Sequence, residues 1–210
     1  MPPTLNDRTR YNLSFTAASL RPEMARTVAE CYLEVGDWDL AKERILSSNA
    51  LQCRTASSAE RQERELRQRL QRLTAEQMWL LVRSTAEDRA AMAWLAALKN
   101  ISFAFDFASE VLREKLAVHD PVLRLSDYET YVEHKSAAHP ELTQLATISK
   151  SKIRQVLLRM LREAGLLGAG GTLGTIQRPV LSPGVTRAVV ADSPHWLAGF
   201  LVPDTEIGRL

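Results

Sequence analysis

The most informative pattern of apolar and polar positions lies between residues 139 and 179. Apolar side chains recur there at intervals of three and four, at Ile153, Val156, Leu157, Met160, Leu161 and Ala164. This spacing predicts the inner stripe of an amphipathic helix. Ser149 suits the N-cap, where its hydroxyl accepts a bond from a free backbone N–H, and Gly165 suits the left-handed residue that ends a helix. We therefore expect a helix from Ser149 to Ala164.

The opposite side of this predicted helix is polar and basic. It carries Ser151, Arg154, Gln155, Leu158 and Arg162, with Lys150, Lys152 and Arg159 beside them. One side of the helix is therefore expected to lie in a core, while the other side presents hydrogen-bond donors to the surroundings.

The segments that flank this helix complete an order of elements. Before it, Pro140 suits the first position of a short supporting helix, whose inner face would carry Leu142, Leu145 and Ala146. After it, glycines at positions 168, 170, 171 and 174, followed by Thr175-Ile176-Gln177-Arg178, predict a two-stranded hairpin. A short helix, a turn, a second helix and a hairpin follow one another as in a winged helix-turn-helix.

The remainder of the chain has mainly helical patterns, so we predict a mainly all-α fold. Residues 1–18 are expected to be extended, residues 19–119 to form a helical bundle domain, and residues 120–210 to form a winged-helix-like domain with C-terminal helices. The densely apolar segments 86–98 and 101–116 are expected at the centre of the bundle. Helix starts are predicted at Asp37, Ser57 with Glu60, Thr74 with Gln77, Thr85 with Asp88, and Ser126 with Glu129.

Two short helices are expected at the C-terminal end, over residues 183–191 and 194–202. The second is strongly apolar on one side, with Trp196, Leu197, Phe200 and Leu201. We expect it to pack back onto the winged module or onto the helical bundle.

The charge distribution favours a polyanionic partner. Residues 148–191 hold seven Lys or Arg and one Glu, a formal charge of +6, whereas residues 101–147 hold four bases and eight acids, a charge of −4. The whole chain carries only +2, so the basic bias is local. We predict double-stranded DNA contacts in the groove by Ser149, Lys150, Ser151, Lys152, Arg154 and Gln155, and at phosphates by Arg159 and Arg178. The alternatives are a merely solvated basic face and a winged module that docks a protein.

A second basic segment lies in the predicted bundle. Arginines are spaced along one predicted helix, at Arg61, Arg64, Arg67, Arg69 and Arg72, interleaved with Glu60, Glu63 and Glu65. The segment is either a second nucleic-acid contact or a solvent face with Glu–Arg pairs four residues apart, each worth a few tenths of a kcal/mol. The second interpretation is favoured.

No catalytic constellation is visible in the sequence. The four histidines do not form a metal-ligand spacing, and the glycines at 168–174 follow a helix instead of a strand, unlike a dinucleotide fingerprint. We therefore expect no enzyme activity, no metal and no cofactor. Two cysteines fit a reducing compartment, and no run of about 18 apolar residues exists, so we expect a soluble cytoplasmic protein without membrane contact.

Several segments together resemble a known family. They are YNLSFTAASL (11–20), Asp37-Trp38 with Asn49 and Leu51-Gln52, SSAERQERELRQRLQRLT (57–74), FAFDFASEVLREK (103–115) and KIRQVLLRMLREAGLL (152–167). The series resembles the BrxA family of bacterial BREX, or bacteriophage-exclusion, systems, and it runs in order over nearly the whole chain.

The resemblance implies a helical protein with a winged-helix-like part that binds DNA, working beside a methyltransferase and large ATPases. It also implies an N-terminal helical region similar to the NusB antitermination fold, which suggests RNA binding. Three hypotheses follow: a non-catalytic DNA-binding accessory protein of phage defence, an RNA-binding antiterminator-like module, and a scaffold that docks other BREX proteins.

Overall fold

The computed structural model describes residues 10–209, which form a mostly helical protein with one small sheet. The α-helices are α1 (Pro22–Val35), α2 (Trp38–Ser47), α3 (Ala56–Leu70), α4 (Ala75–Arg83), α5 (Ala86–Asn100), α6 (Ser102–Asp106), α7 (Arg113–Ala117), α8 (Leu125–Ser136), α9 (Thr147–Glu163), α10 (Pro183–Asp192) and α11 (Asp204–Ile207). A π-helical stretch, Phe107–Leu112, joins α6 to α7, and 3-10 helices span Pro140–Leu142 and Pro194–Phe200. The prediction of a mainly all-α fold is confirmed.

The sheet contains three short antiparallel strands, β1 (Val122–Leu123), β2 (Leu167–Gly168) and β3 (Gly174–Ile176), in the order β1-β3-β2. Val122 faces Thr175, and Leu167 faces Ile176. The hairpin expected from the glycine spacing is therefore present, and β1 adds a third strand that the sequence patterns did not predict.

Several helix starts follow the predicted capping chemistry. The carboxylate of Asp37 accepts bonds from the N–H groups of Asp39 and Leu40. Thr74 and Gln77 exchange side-chain and backbone bonds as a capping box. The hydroxyl of Thr85 accepts from the N–H of Asp88. These side chains satisfy N–H groups that the first turn of a helix leaves unpaired.

The predicted caps of α3 and α8 are wrong. The prediction for α3 was Ser57 with Glu60, but the helix begins earlier, because the extended residue Thr55 accepts a bond from the N–H of Ser58. The prediction for α8 was Ser126 with Glu129. Instead, the N–H of Arg124 donates to the carboxylate of Asp127 at 2.7 Å. In each case the oxygen of a neighbouring side chain, Thr55 or Asp127, accepts the hydrogen bond at the helix start.

The centre of the bundle is formed by α5 and by the continuous helix from α6 to α7, as predicted. Trp94, Phe103 and Phe107 are fully buried there. The indole N–H of Trp94 donates to the carbonyl of Gly199 at 2.9 Å. A Cβ at Gly199 would lie 2.5 Å from a methyl of the buried Leu98, so any larger residue would force the Leu98 side chain to move. The C-terminal 3-10 helix thus packs onto the bundle, one of the two placements expected for it.

The N-terminal segment packs into the core. Tyr11 and Phe15 are buried although residues 10–20 form neither helix nor strand, and the prediction for residues 1–9 lies outside the described residues. The Tyr11 hydroxyl donates to Asp106 at 2.6 Å, and its ring stacks on His139 at 3.8 Å. Buried side chains form one core on both sides of residues 119–120, and the division into two domains stays a prediction.

Candidate nucleic-acid interface

The helix α9 has the inner stripe that the sequence predicts. Its six stripe residues, Ile153, Val156, Leu157, Met160, Leu161 and Ala164, are at most 7% exposed. Leu158, which we placed on the outer face, is also 7% exposed, so the buried stripe is wider than predicted. Gly165 has a φ of +72°, in the left-handed region expected at the end of the helix.

The predicted N-cap of this helix is wrong. Ala146 precedes α9, and Ser149 lies inside its first turn. The N–H of Lys150 already donates to the carbonyl of Ala146 at 3.0 Å, which fixes the start two residues before Ser149. Ser149 remains on the surface, where its hydroxyl is available to a ligand instead of the helix end.

The predicted supporting helix is replaced by a single 3-10 turn, Pro140–Leu142. The hydroxyl of Thr143 donates to the carbonyl of Pro140 at 2.7 Å, which closes the turn locally instead of continuing a helix. Leu142 is buried as predicted, but Ala146 is exposed. The full helix that precedes α9 is α8, whose residues Tyr128 and Tyr131 are buried.

The outward side of α9 forms a continuous stripe, called here the outer stripe, at about 100° per residue. It consists of Ile148, Ser151, Lys152, Gln155, Arg159 and Arg162, all exposed. Ile148 was not among the predicted contacts, although a helical projection of the sequence already separates it from the apolar stripe. It is 85% exposed.

The lysines at the start of α9 are free of internal ion pairs. Among residues 10–209, the ion pairs of α9 are Arg154–Glu129 and Arg159–Glu163, so the ammonium groups of Lys150 and Lys152 have no carboxylate partner there. The ammonium group of Lys152 makes a long hydrogen bond, 3.4 Å, to the side-chain amide oxygen of Gln155. These charges are exposed to solvent and to any polyanion that approaches the helix.

The three candidate arginines differ in the internal contacts that their guanidinium groups make. Arg154 flanks the outer stripe, with its guanidinium 5.9 Å above the ring of Tyr128 and its side chain 33% exposed. Arg159 is 59% exposed and donates to Glu163 at 3.1 Å. Arg178 donates to both carboxylate oxygens of Glu206, at 2.8 and 2.5 Å.

The ion pair of Arg178 restricts its predicted role. The guanidinium of Arg178 holds the pKa of Glu206 below its usual range. A phosphate at Arg178 would have to compete with this carboxylate, and the contact stays a prediction. This ion pair was not predicted, because Glu206 lies 28 residues further along in α11, a helix that we did not predict.

A side-chain hydrogen bond connects α9 to the β2–β3 hairpin. The guanidinium of Arg162 donates to the carbonyl of Leu173 at 2.8 Å. Gly174 begins β3 with a φ of +145°, and a Cβ there would lie 2.6 Å from Leu167 Cγ and 2.7 Å from the carbonyl oxygen of Gly168. The close approach of the two strands therefore depends on glycine at this position.

Replacing Gly174 with alanine is expected to lower the free energy of unfolding by about 1–3 kcal/mol, because the new methyl overpacks the hairpin in a left-handed backbone conformation. Urea unfolding followed by circular dichroism measures the change. The matched control is Gly36→Ala, at a φ of +71° with no atom within 4 Å of the new Cβ. Equal losses in both variants would mean that backbone conformation, and not strand packing, requires glycine at position 174.

The arginines of residues 61–72, in α3 and the turn that follows it, do not form one exposed face. Arg61, Arg64 and Arg72 are exposed. Arg67 pairs with the buried carboxylate of Glu63 at 2.8 Å, as the spacing predicted. Arg69, however, is only 2% exposed, and its placement on an outer face is wrong. Its guanidinium bonds to Glu65 and to three carbonyl groups of residues 15–19, which hold it inside the protein.

Fold and site together define a mostly helical protein with an exposed basic helix beside a three-stranded sheet. No helix within residues 10–209 has the length and apolar character needed to cross a membrane. The family model of BrxA matches residues 9–193, and the chain belongs to the BrxA family.

Curated relatives carry the same family name. The chain is 27% identical over 159 residues to the BREX protein BrxA of Paramagnetospirillum magneticum, covering 75% of this chain and 79% of that protein. It is 25% identical over 150 residues to the BREX protein BrxA of Bacillus cereus, covering 71% and 75%. The crystal structure of an uncharacterized protein from Magnetospirillum magneticum shares the fold, with a TM-score of 0.81 at 21% identity, over 91% of this chain and 98% of that one.

Proposed function

We propose that this protein is a component of a BREX phage-defence system, binds double-stranded DNA through α9, and acts without catalysing a reaction. The family membership and the BREX names of its relatives support the first part. The second part is supported by the outer stripe, together with the exposed ammonium groups of Lys150 and Lys152, which have no carboxylate partner within residues 10–209.

The order of elements supports the same function. β1, α8, the 3-10 turn, α9 and the β2–β3 hairpin follow one another, with strands in the order β1-β3-β2. This order supports a winged-helix assignment for residues 122–176, in which α9 would enter the major groove and the hairpin would lie beside it. The 17 residues of α9 extend about 25 Å, and a groove about 12 Å wide admits a helix.

Salt dependence of duplex affinity is the direct test. If about five phosphates are contacted, log K should fall with log salt at a slope of roughly −4 to −5, because each contact releases condensed counterions. Fluorescence anisotropy on a 20-base-pair duplex at several salt concentrations measures it. An affinity that is absent, or that does not change with salt, would contradict the proposal.

An RNA-binding function for the α3 face is the second candidate, and its support is narrower. Only Arg61, Arg64 and Arg72 of the five predicted arginines are exposed. Competition between duplex DNA and a structured RNA separates the two functions, since preferential displacement by RNA would favour the α3 face. Docking to other BREX proteins could accompany DNA binding or RNA binding. If charge reversals on α9 abolish co-purification with BREX proteins but leave DNA affinity unchanged, α9 binds a protein partner.

A further inference from the structure

The outer stripe of α9 begins with an apolar side chain where the rest of the stripe is polar. Ile148 is 85% exposed and lies one turn before Lys152, on the same side of the helix. Its chain neighbours Thr147 and Ser149 are also exposed. A protein-docking surface needs an extended apolar patch, whereas Ile148 is a single apolar group on the same side of α9 as Lys152, with exposed Thr147 and Ser149 next to it in the chain.

The major groove of DNA offers one apolar group, the C5-methyl of thymine. We propose that Ile148 packs against thymine methyl groups and that the protein therefore prefers A·T base pairs at this position. This inference rests on the proposed DNA-binding function of α9. The exposed Lys152, one turn after Ile148 on the same side of the helix, would contact a phosphate of the groove, and the apolar side chain then loses water only where a methyl group meets it.

Gln155 extends the same preference along the groove. It lies on the outer stripe about 10 Å from Ile148 along the helix axis, roughly the length of three base-pair steps. A glutamine amide pairs in the major groove with N6 and N7 of adenine. Ile148 and Gln155 therefore both favour A·T pairs, the first by its contact with thymine and the second by hydrogen bonds to adenine.

Replacing thymine with deoxyuridine removes the methyl group and leaves base pairing unchanged. The full chain would be titrated onto an alternating A·T duplex, its deoxyuridine counterpart, and a G·C duplex with and without 5-methylcytosine, which carries a methyl at the same ring position. We expect about fourfold weaker binding for each contacted thymine methyl that is lost, and stronger binding when cytosine is methylated. Ile148→Ala should bind the thymine and deoxyuridine duplexes with nearly equal affinity, and likewise the two G·C duplexes with and without 5-methylcytosine.

The control variant is Val180→Ala, which removes an equally exposed apolar side chain outside α9. It should keep the full difference between thymine and deoxyuridine. Equal binding of the unchanged protein to both duplexes would overturn the inference while leaving the DNA-binding function in place. The same difference in Ile148→Ala as in the unchanged protein would overturn it as well. Failure to bind any duplex would contradict the proposed DNA-binding function, and this inference would fail with it.

Discussion

Replacing Lys150 and Lys152 with glutamate should weaken binding to duplex DNA about 100-fold or more at 0.1 M salt. Both ammonium groups are exposed and have no carboxylate partner among residues 10–209, so they are available to phosphates. Counterion release alone contributes roughly eightfold per contact at this salt concentration, and the two new carboxylates add repulsion. The slope of log K against log salt should become flatter by about 2. Anisotropy titrations at four salt concentrations measure both changes.

The matched control reverses two exposed arginines of α3, Arg61→Glu with Arg64→Glu. It changes the net charge of the protein by the same amount, so it measures how much affinity is lost through net charge alone. We expect it to weaken duplex binding less than tenfold. Equal losses in the two double variants would mean that net charge, and not the position of α9, determines affinity, and the proposed interface would be rejected.

Arg154 is left out of this double variant because its side chain also has a structural contact. Its guanidinium lies over the ring of Tyr128, and glutamate would face Glu129 across about the same gap. A loss of binding in Arg154→Glu would therefore mix lost phosphate attraction with a disturbed contact to α8. Lys150 and Lys152 allow the electrostatic part to be measured alone.

The sequence predicted the parts of this molecule that depend on local periodicity. The buried stripe of α9, the glycine at its end and the hairpin all follow from residues close together in the chain, whose spacing determines which side chains share a face. The lysines at the start of α9 were predicted on the surface for the same reason.

Contacts between distant segments could not be predicted in this way. β1 contains only two residues, too few for a strand pattern, and is defined by its pairing with β3 more than 50 residues later. The ion pair between Arg178 and Glu206 joins a loop to an unpredicted helix. In both cases the partner, and not the local sequence, decides the structure.

Arg69 is the clearest example, because in an Arg- and Glu-rich helix it resembles its exposed neighbours. Its guanidinium donates to the carbonyls of Ser19 at 2.7 Å, Ala18 at 2.8 Å and Phe15 at 3.3 Å, and to the carboxylate of Glu65 at 2.8 Å. Burial lowers the pKa of Arg69, and Glu65 opposes that effect. Its three carbonyl partners lie 50 to 54 residues earlier in the chain, in a segment without regular structure.

Replacing Arg69 with methionine should therefore lower the free energy of unfolding by about 3–5 kcal/mol, the range for a buried pair that loses one partner. The variant leaves a buried carboxylate on Glu65 and three carbonyl groups without their donor. The segment that they belong to also bonds to α9, since the Ser19 hydroxyl and the Leu20 N–H donate to Glu163. Urea unfolding measures the loss, and Arg64→Met, at an exposed site, should stay within about 0.5 kcal/mol of the unchanged protein.

A second variant separates the orphaned charge from the orphaned carbonyl groups. Arg69→Met combined with Glu65→Leu removes the buried carboxylate, so it should recover part of the lost stability, while the carbonyls of Phe15, Ala18 and Ser19 remain unpaired. Full recovery would mean that the carboxylate alone accounts for the effect. A loss below about 1 kcal/mol in Arg69→Met would contradict the structural role of Arg69, because water would then have to satisfy the same groups.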